Sequence, residues 1–512
     1  MICLPDLFRY WANFRPDDEA VVCEETRYTW RALIAAAEGV AAELQERGVQ
    51  PGDRVAILLP NCAEWAVAYV GLSLAGAALV PLNPRFGSFE LEAIAENADC
   101  AALVTTPAAG RSLAAHFALD GAETEDTLVI ASPAARALPP TPFARAAASG
   151  ALARQVATSP DQLAAIFYTS GSTGLPKGTM QTHATVAAFL MGYILSLKFT
   201  SDDRALIVAP LAFTGGCLSL LVPMLAIGAC AIIEPAVDPE RILHRIESER
   251  ATFMTMVPAI WERLPEVPGW ADADLSSLRV AMTGGAPVSR ELLARFRAKG
   301  VRIRQVYGCT ELGAMGCTPP EDLAMARPET VGFPQVTLEA RVVHDGRDCA
   351  PGETGEIWVR GPQVMRGYWR DEAQTAAAFA DGWFRTGDLV TRDEAGVITV
   401  VDRLKNMVIS GGVNIYPAEI ERALASLPMI AECGVFGAPD PRWGEKVVAL
   451  VHGPEAIDPD ALRATLRELL GPLKTPREIV VSPAPLPKTV TNKIARTELP
   501  ALYATLSIPP AD

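Results

Sequence analysis

The chain has 512 residues, of which 45 are basic and 60 acidic, giving a formal net charge of −15. Half of its residues are hydrophobic and 21% are charged, the balance of a globular enzyme with room for several cores. That acidic excess argues against nucleic acid or an anionic membrane as a main partner.

Ten cysteines are scattered from Cys3 to Cys433 without a CxxC pair, and the five histidines stand apart. Neither a zinc nest nor a disulfide framework is expected; reduced thiols in a cytoplasmic protein are. No secretory leader is expected at Met1–Pro5, because Asp6 and Arg9 follow at once. The uncharged stretch Ala205–Ile233 has the length of a membrane span. Pro210, Gly215, Gly216, Pro223 and Gly228 divide it into a strand, a loop, a short helix and a second strand, so stable membrane insertion is not expected.

Apolar spacing predicts helix through 6–50, stopped by Gly48. Strands are predicted at Val55–Leu59, Ala78–Leu82 and Ala101–Thr105, with helices at Glu64–Leu74 and near Phe89–Ala95. The Ala-, Pro- and Ser-rich text of Ala108–Ala157 predicts a surface connection. A second α/β unit is expected over 163–330, with strands near Phe253–Val257, Arg279–Met282 and Arg302–Gln305. Short alternating runs at Glu339–Val343, Gly355–Arg360 and Val397–Val401 predict a β-rich subdomain. From Arg403 onward, helical text at Ala418–Ser426 and Asp460–Leu470 alternates with strands at Glu432–Phe436, Lys446–Val451 and Glu478–Val481. The fold class expected is α/β: a large N-terminal domain of two α/β sheet subdomains plus a β-rich subdomain, then a small mobile α+β C-terminal domain.

The most informative stretch follows the apolar run Leu163–Tyr168: Thr169, Ser170, Gly171, Ser172, Thr173, Gly174, Leu175, Pro176, Lys177, Gly178. Hydroxyls donate to oxyanions, glycines let backbone N–H groups approach a phosphate, and Lys177 offers a point charge. Pro176 before the lysine excludes a Walker A loop. The absence of glycine two residues before Ser172 excludes a nucleophile elbow. Read alone, the segment is a Gly/Ser/Thr turn.

The full string resembles the phosphate loop of the AMP-forming adenylating superfamily, which includes acyl-CoA synthetases, adenylation domains of peptide synthetases and luciferases. Its partner motifs follow in order. Gly285-Ala286-Pro287 matches the segment that packs along adenine in that family. Gln305-Val306-Tyr307-Gly308-Cys309-Thr310-Glu311 matches the adenine and magnesium motif. There Tyr307 can stack on a purine, Thr310 can donate to the α-phosphate, and Glu311 can hold Mg²⁺, a hard ion that prefers oxygen. Asp388 resembles the acid that accepts both ribose hydroxyls, a task suited to two carboxylate oxygens. Arg403 resembles a second ribose contact, and Lys405 falls at the family's hinge. Ser410, Gly411 and Gly412 match the loop that flanks the pantetheine tunnel in the CoA-ligase branch. Lys493 matches the lysine bridging substrate carboxylate and α-phosphate. Asn492 stands where the family usually has glycine, and asparagine is the next most tolerant residue at positive φ.

The resemblance implies an N-terminal adenylation domain over 1–402, a hinge at 403–406 and a C-terminal domain over 407–512. It implies ATP, Mg²⁺ and coenzyme A as reactants, and a small-molecule carboxylic acid as substrate; a homodimer is left open. Catalysis is expected from Lys493, Thr310 and Glu311. Phe213, Thr214, Gly215, Cys217, Met282, Gly308, Met315 and Gly316 are expected to line the acyl pocket, by their positions beside the motifs. All are uncharged. Phe213 stands where many relatives carry histidine. Thr214 replaces the aspartate of amino-acid activators, so an apolar fatty or aryl acid is expected. Two other readings stand beside the CoA ligase: an adenylating enzyme that loads a carrier-protein thiol, and a catalytically silent nucleotide-binding regulator.

Overall fold

The structure, a computed structural model, describes residues 3–114, 116–117, 119, 129–131, 140–169, 176–284, 288–410, 413–489 and 493–506. Two seven-stranded sheets form the frame of its N-terminal part. In the first, the central strands Arg54–Leu58, Ala78–Leu82 and Ala102–Thr105 run parallel, and Leu163–Thr169 joins them through Leu79 opposite Ala165. In the second, Arg204–Ile207, Cys230–Ile233, Phe253–Met256, Val280–Gly284 and Ile303–Val306 run parallel. These strands are covered on both faces, which is why they read as continuous apolar runs.

Alternation along each strand divides the core. Val55 and Ile57 enter the cluster that also holds Ala205, Ile207 and Phe253 of the second sheet. Ala56 and Leu58 face the helix Ser88–Ala98 on the outer side, and Leu206 and Met254 face a third cluster. Helix Ala63–Leu74 is apolar on every side and buried throughout except at Glu64, as expected of a helix inside the central cluster. A Cβ at its Gly71 would lie 2.8 Å from Val40 Cγ1, so glycine permits its close approach to helix Trp30–Glu46.

Three expectations change. Residues 6–50 are not helical throughout: between helices Leu4–Phe14 and Trp30–Glu46, strands Glu19–Cys23 and Thr26–Thr29 form a hairpin on the edge of the second sheet. Its run Ala20–Val22 is short and wholly buried, a case in which periodicity cannot separate strand from helix. Residues 108–157 are not only a surface connection. Val129–Ala131 and Thr141–Pro142 extend the first sheet, and Phe143 and Ala146 are buried. Strands Leu163–Thr169 and Lys177–Thr182, which flank the phosphate loop, belong to the first sheet and not to the second unit.

A third, antiparallel sheet contains Glu339–His344, Thr354–Arg360, Trp383–Arg392 and Ile398–Arg403. A fourth follows the 3-10 turn Leu404–Asn406, with Val408–Ser410, Val413–Ile415, Glu432–Asp440, Gly444–His452 and Glu478–Val481. Helices Pro417–Ala425 and Pro459–Lys474 share a core with that sheet. Among the described residues, no helix is long and apolar enough to cross a membrane.

Candidate active site

Strand pairing brings the ends of the phosphate loop together. Thr169 closes its strand directly opposite Lys177, which opens the next. Ser170, Gly171, Ser172, Thr173 and Gly174 lie outside the described residues, as do Gly285, Ala286, Pro287, Gly411, Gly412 and Asn492. Lys177 Nζ donates to Gln374 Oε1 at 2.7 Å and sits 5.6 Å from the centre of the Tyr368 ring. The Tyr368 hydroxyl donates to Glu311 Oε1 at 2.9 Å. One ring therefore joins the loop's cation to the carboxylate expected to hold magnesium. Burial first, and then Glu311, push the Tyr368 phenol well above its ordinary pKa, so it stays a donor.

Tyr368 reaches this place because its segment is laced to the phosphate strand. Met180 N donates to Gly367 O at 3.0 Å, Arg366 N to Met180 O at 3.1 Å, and Trp369 N to Gly178 O at 2.7 Å. Neither Tyr368 nor Gln374 is marked by composition or spacing, and the sequence reading missed both.

Strand Ile303–Val306 ends at Tyr307, whose backbone bridges to Cys317. A Cβ at Gly308 would fall 2.1 Å from Ala314 O, so only glycine fits this turn. Thr310 and Glu311 follow in a single 3-10 turn. The Thr310 carbonyl accepts from Gln181 Nε2 at 3.0 Å, and Met365 N donates to the Glu311 carbonyl at 2.8 Å. Thr310 is thus pinned by its backbone to the strand Lys177–Thr182, and Glu311 to the segment around Met365. Gln305 bonds through its amide to the Pro328 carbonyl. Burial, then Glu311, raise the Cys309 thiol well above its ordinary range, so it is no nucleophile.

Asp388 is 4% exposed and sits on Trp383–Arg392, directly across from Arg403 on Ile398–Arg403. Its Oδ1 lies 2.9 Å from Arg403 Nε, and its Oδ2 accepts from the Tyr307 hydroxyl at 2.8 Å. A register shift between Leu389 and Val390 places a bulge beside this pair, a device that re-aims side chains near sites. Burial raises the Asp388 carboxyl, opposed by Arg403 and the Tyr307 hydroxyl. Tyr307 is 8% exposed and belongs to the cluster under the third sheet. The structure therefore gives it a positioning contact on Asp388 that the motif alone did not suggest.

Past Arg403 the chain makes a 3-10 turn, Leu404–Asn406, that carries Lys405. Lys405 has its pKa lowered by burial and then by Arg403, with Lys177 adding to this and Asp388 opposing. Lys493 closes a narrow loop: Thr489 N donates to Lys493 O at 2.7 Å, and Lys488 bridges to Ile494. The Lys493 side chain is exposed. Burial lowers its pKa, Arg403 lowers it further, and Asp388 opposes. Arg403 and Asp388 thus act in opposite directions on both Lys405 and Lys493.

For the pocket, the structure brings Cys217, Met282 and Met315 into a single apolar cluster. Burial pushes the Cys217 thiol above the ordinary range, leaving it neutral. Phe213 and Thr214 are half-buried and Gly215 exposed, at the start of a short helix that continues as a π-turn over Cys217–Leu221. Phe86 packs edge-on against Phe213 with ring centres 6.0 Å apart, a neighbour the sequence reading missed. Gly316 is buried beside Met315, and Gly308 is exposed.

A model of the AMP-binding enzyme family matches residues 8–369, and one of the AMP-binding enzyme C-terminal domain matches residues 419–493. Feruloyl-CoA synthase from Amycolatopsis sp is 36% identical over 491 residues, covering 95% of this chain and 96% of its own. Indoleacetate–CoA ligase from Aromatoleum aromaticum is 35% identical over 501 residues, covering 96% of each. Among solved structures, o-succinylbenzoate CoA synthetase from Bacillus subtilis, in complex with its acyl-adenylate intermediate, superposes with a TM-score of 0.85. It is 29% identical, and the match covers 98% of both chains.

Proposed function

The chain belongs to the AMP-binding enzyme family, and from that premise we propose that it is an AMP-forming acid–thiol ligase acting on an apolar, aryl-type carboxylic acid. The acid attacks the α-phosphate of ATP, pyrophosphate leaves, and acyl-AMP remains. The thiol of coenzyme A then attacks the acyl carbon, AMP leaves, and a thioester results. The observation that carries this reading is the buried Asp388, held by Arg403 at 2.9 Å and by Tyr307 at 2.8 Å. A desolvated carboxylate fixed by two donors suits a ribose better than it suits a structural ion pair.

Residue roles follow from placement. Asp388 and Arg403 hold the ribose. Lys177 stands on the phosphate side, and Thr310 offers a hydroxyl to the α-phosphate. Lys493 supplies the charge that steadies the oxyanions as the carboxylate attacks. Glu311 fits a shared magnesium ion: Tyr368 occupies one of its oxygens, leaving hard oxygen capacity for an ion otherwise held by phosphates and water. When bound, such an ion supplies charge neutralisation on the phosphates. The unit before residue 403, a hinge at 403–406 and the unit from 407 on give the two half-reactions separate arrangements of one cleft. Ser410 with Gly411 and Gly412 serves the second, and Ser410 lies directly across from Val413 on the paired strand.

The acyl side is apolar. Cys217, Met282 and Met315 present no charge, and Phe213 with Phe86 forms an aromatic wall. Relatives named for ferulate and indoleacetate support an aryl acid. The test is a panel of aryl, fatty and short acids scored for AMP release with and without CoA. CoA-dependent AMP from aryl acids is expected. AMP release that needs a carrier protein, or none with any acid, overturns the reading.

A further inference from the structure

The strand that carries Arg403 also carries Asp402, and Asp402 faces the other way. Its side chain is 2% exposed. Its Oδ1 accepts from Arg403 N at 2.6 Å, from Asn406 Nδ2 at 3.1 Å and from Arg496 Nη1 at 3.3 Å. Its Oδ2 accepts from Ala418 N at 2.6 Å. Ala418 is the second residue of helix Pro417–Ala425, whose own N-cap, Tyr416, provides no side-chain acceptor. Asp402 therefore caps that helix from outside, at the end where a negative charge is favoured.

These contacts differ in one respect. Arg403 N and Asn406 Nδ2 belong to the strand end and the turn. Ala418 and Arg496 lie beyond the turn Leu404–Asn406, while Asp402 is held in the third sheet opposite Leu389. Any rotation within that turn must separate Asp402 from both. Arg496 is in turn fixed to Glu421, which also accepts from Val435 N at 2.9 Å. It lies three residues after Lys493 in the sequence, and Ala495 N donates to Pro487 O at 2.8 Å, closing the base of the lysine loop.

We propose that Asp402 and Arg496 form a latch across the hinge that holds the C-terminal unit in the arrangement of this structure, which we assign to acyl-AMP formation. This rests on the adenylate-forming reading above. Both are positioning residues: neither touches a substrate. With the latch closed, acyl-AMP is made; its release frees the C-terminal unit for the thiol step. One charge-assisted hydrogen bond across a two-state hinge shifts the equilibrium by about 10-fold to 100-fold.

The test uses the full-length protein with Asp402→Asn, Arg496→Gln and Arg496→Lys. Adenylation is read as pyrophosphate release. Thioester formation is read separately, from chemically supplied aryl-adenylate plus CoA. Asp402→Asn and Arg496→Gln should slow the first step by about 10-fold or more and leave the second within about 2-fold, with Arg496→Lys between. Hydrogen exchange of the segment 416–424 should speed up in the first two variants. Equal loss in both steps, or unchanged rates and exchange, overturns the latch. If Asp402→Asn proves unstable, the Arg496 pair decides, because Arg496→Lys keeps the charge. A wild-type protein that performs neither step counts against the ligase reading; faster exchange in its variants still upholds the latch.

Discussion

Arg403 Nε stands 2.9 Å from Asp388 Oδ1, and strand register puts the two residues face to face where the third sheet runs into the turn Leu404–Asn406. The arginine is half-exposed and the aspartate almost fully buried, so the pair is unequal: most of the desolvation falls on the carboxylate. Burial, the leading cause, raises the Asp388 carboxyl above its unfolded value despite Arg403. The sign follows from this. A folded-state pKa above the unfolded one means that ionised Asp388 costs stability, and the cost grows as pH rises through that window. Asp388→Asn should therefore raise the melting temperature at pH 7 while weakening AMP binding by about 1.5–3 kcal/mol, the worth of hydrogen bonds to a charged acceptor. Calorimetric melting and AMP titration on the same preparation check both halves. A less stable variant that binds AMP normally would contradict the assignment.

Tyr368 links Lys177 to Glu311, so removing its hydroxyl isolates one contact. Tyr368→Phe keeps the ring beneath Lys177 and deletes the 2.9 Å bond to Glu311 Oε1. A carboxylate freed from its orienting donor holds a magnesium–phosphate pair less well. We expect the KM for MgATP to rise about 5–10-fold, from the loss of roughly 1 kcal/mol, with little change in the KM for the acid. Magnesium titration at fixed ATP separates this outcome from a general loss of fold. Equal effects on both substrates would show that the hydroxyl only packs.

The parallel strands were legible in the sequence because they are buried on both faces. Ala78–Leu82 and Cys230–Ile233 are unbroken apolar runs, each with a glycine two residues before it. The motif acids and lysines were legible for a different reason: Glu311 and Lys493 sit in turns where local text is distinctive, whereas Asp388, expected at a turn, lies within the strand Trp383–Arg392. What the sequence hid is pairing at a distance. The hairpin Glu19–Cys23 with Thr26–Thr29 owes its place to a parallel neighbour at Cys230–Ile233, more than 200 residues away, as the pairing of Val21 with Ala231 records. Tyr368 and Phe86 were invisible for the same reason. Each is an ordinary aromatic until the chain folds it against Glu311 or Phe213.

Lys493 is the only member of the proposed catalytic set that lies beyond the hinge, so its removal should spare the nucleotide site. Burial lowers its pKa, Arg403 lowers it further, and Asp388 opposes. Lys493→Ala should bind ATP nearly as well as the parent and release pyrophosphate about 10²–10³-fold more slowly, the usual cost of losing one preorganised stabilising group. Conversion of supplied aryl-adenylate and CoA to thioester should remain within about 3-fold, because that step does not need the charge. Pyrophosphate release close to that of the parent would remove Lys493 from the mechanism.

His183 offers a test of stability remote from the chemistry. It is 3% exposed, opens helix His183–Leu197, and accepts the Leu4 N–H at Nδ1 over 3.5 Å. Only a neutral imidazole can accept there, and a positive charge at a helix N-terminus is disfavoured besides. Burial pushes its pKa down to about 4, with Asp6 opposing. The folded value lies below the unfolded value of about 6.5, so the unfolded chain takes the proton first. Stability is complete above about pH 6.5 and drains away as pH falls toward 4, where the folded protein takes up the proton too. At pH 5 the loss from this one group should be about 2 kcal/mol. His183→Gln keeps an acceptor without a titration. Urea unfolding at pH 7.5 and at pH 5 should show a smaller difference between the two pH values for the variant, by roughly that 2 kcal/mol. Identical pH dependence in the two proteins would mean that His183 already carries its proton in the folded state.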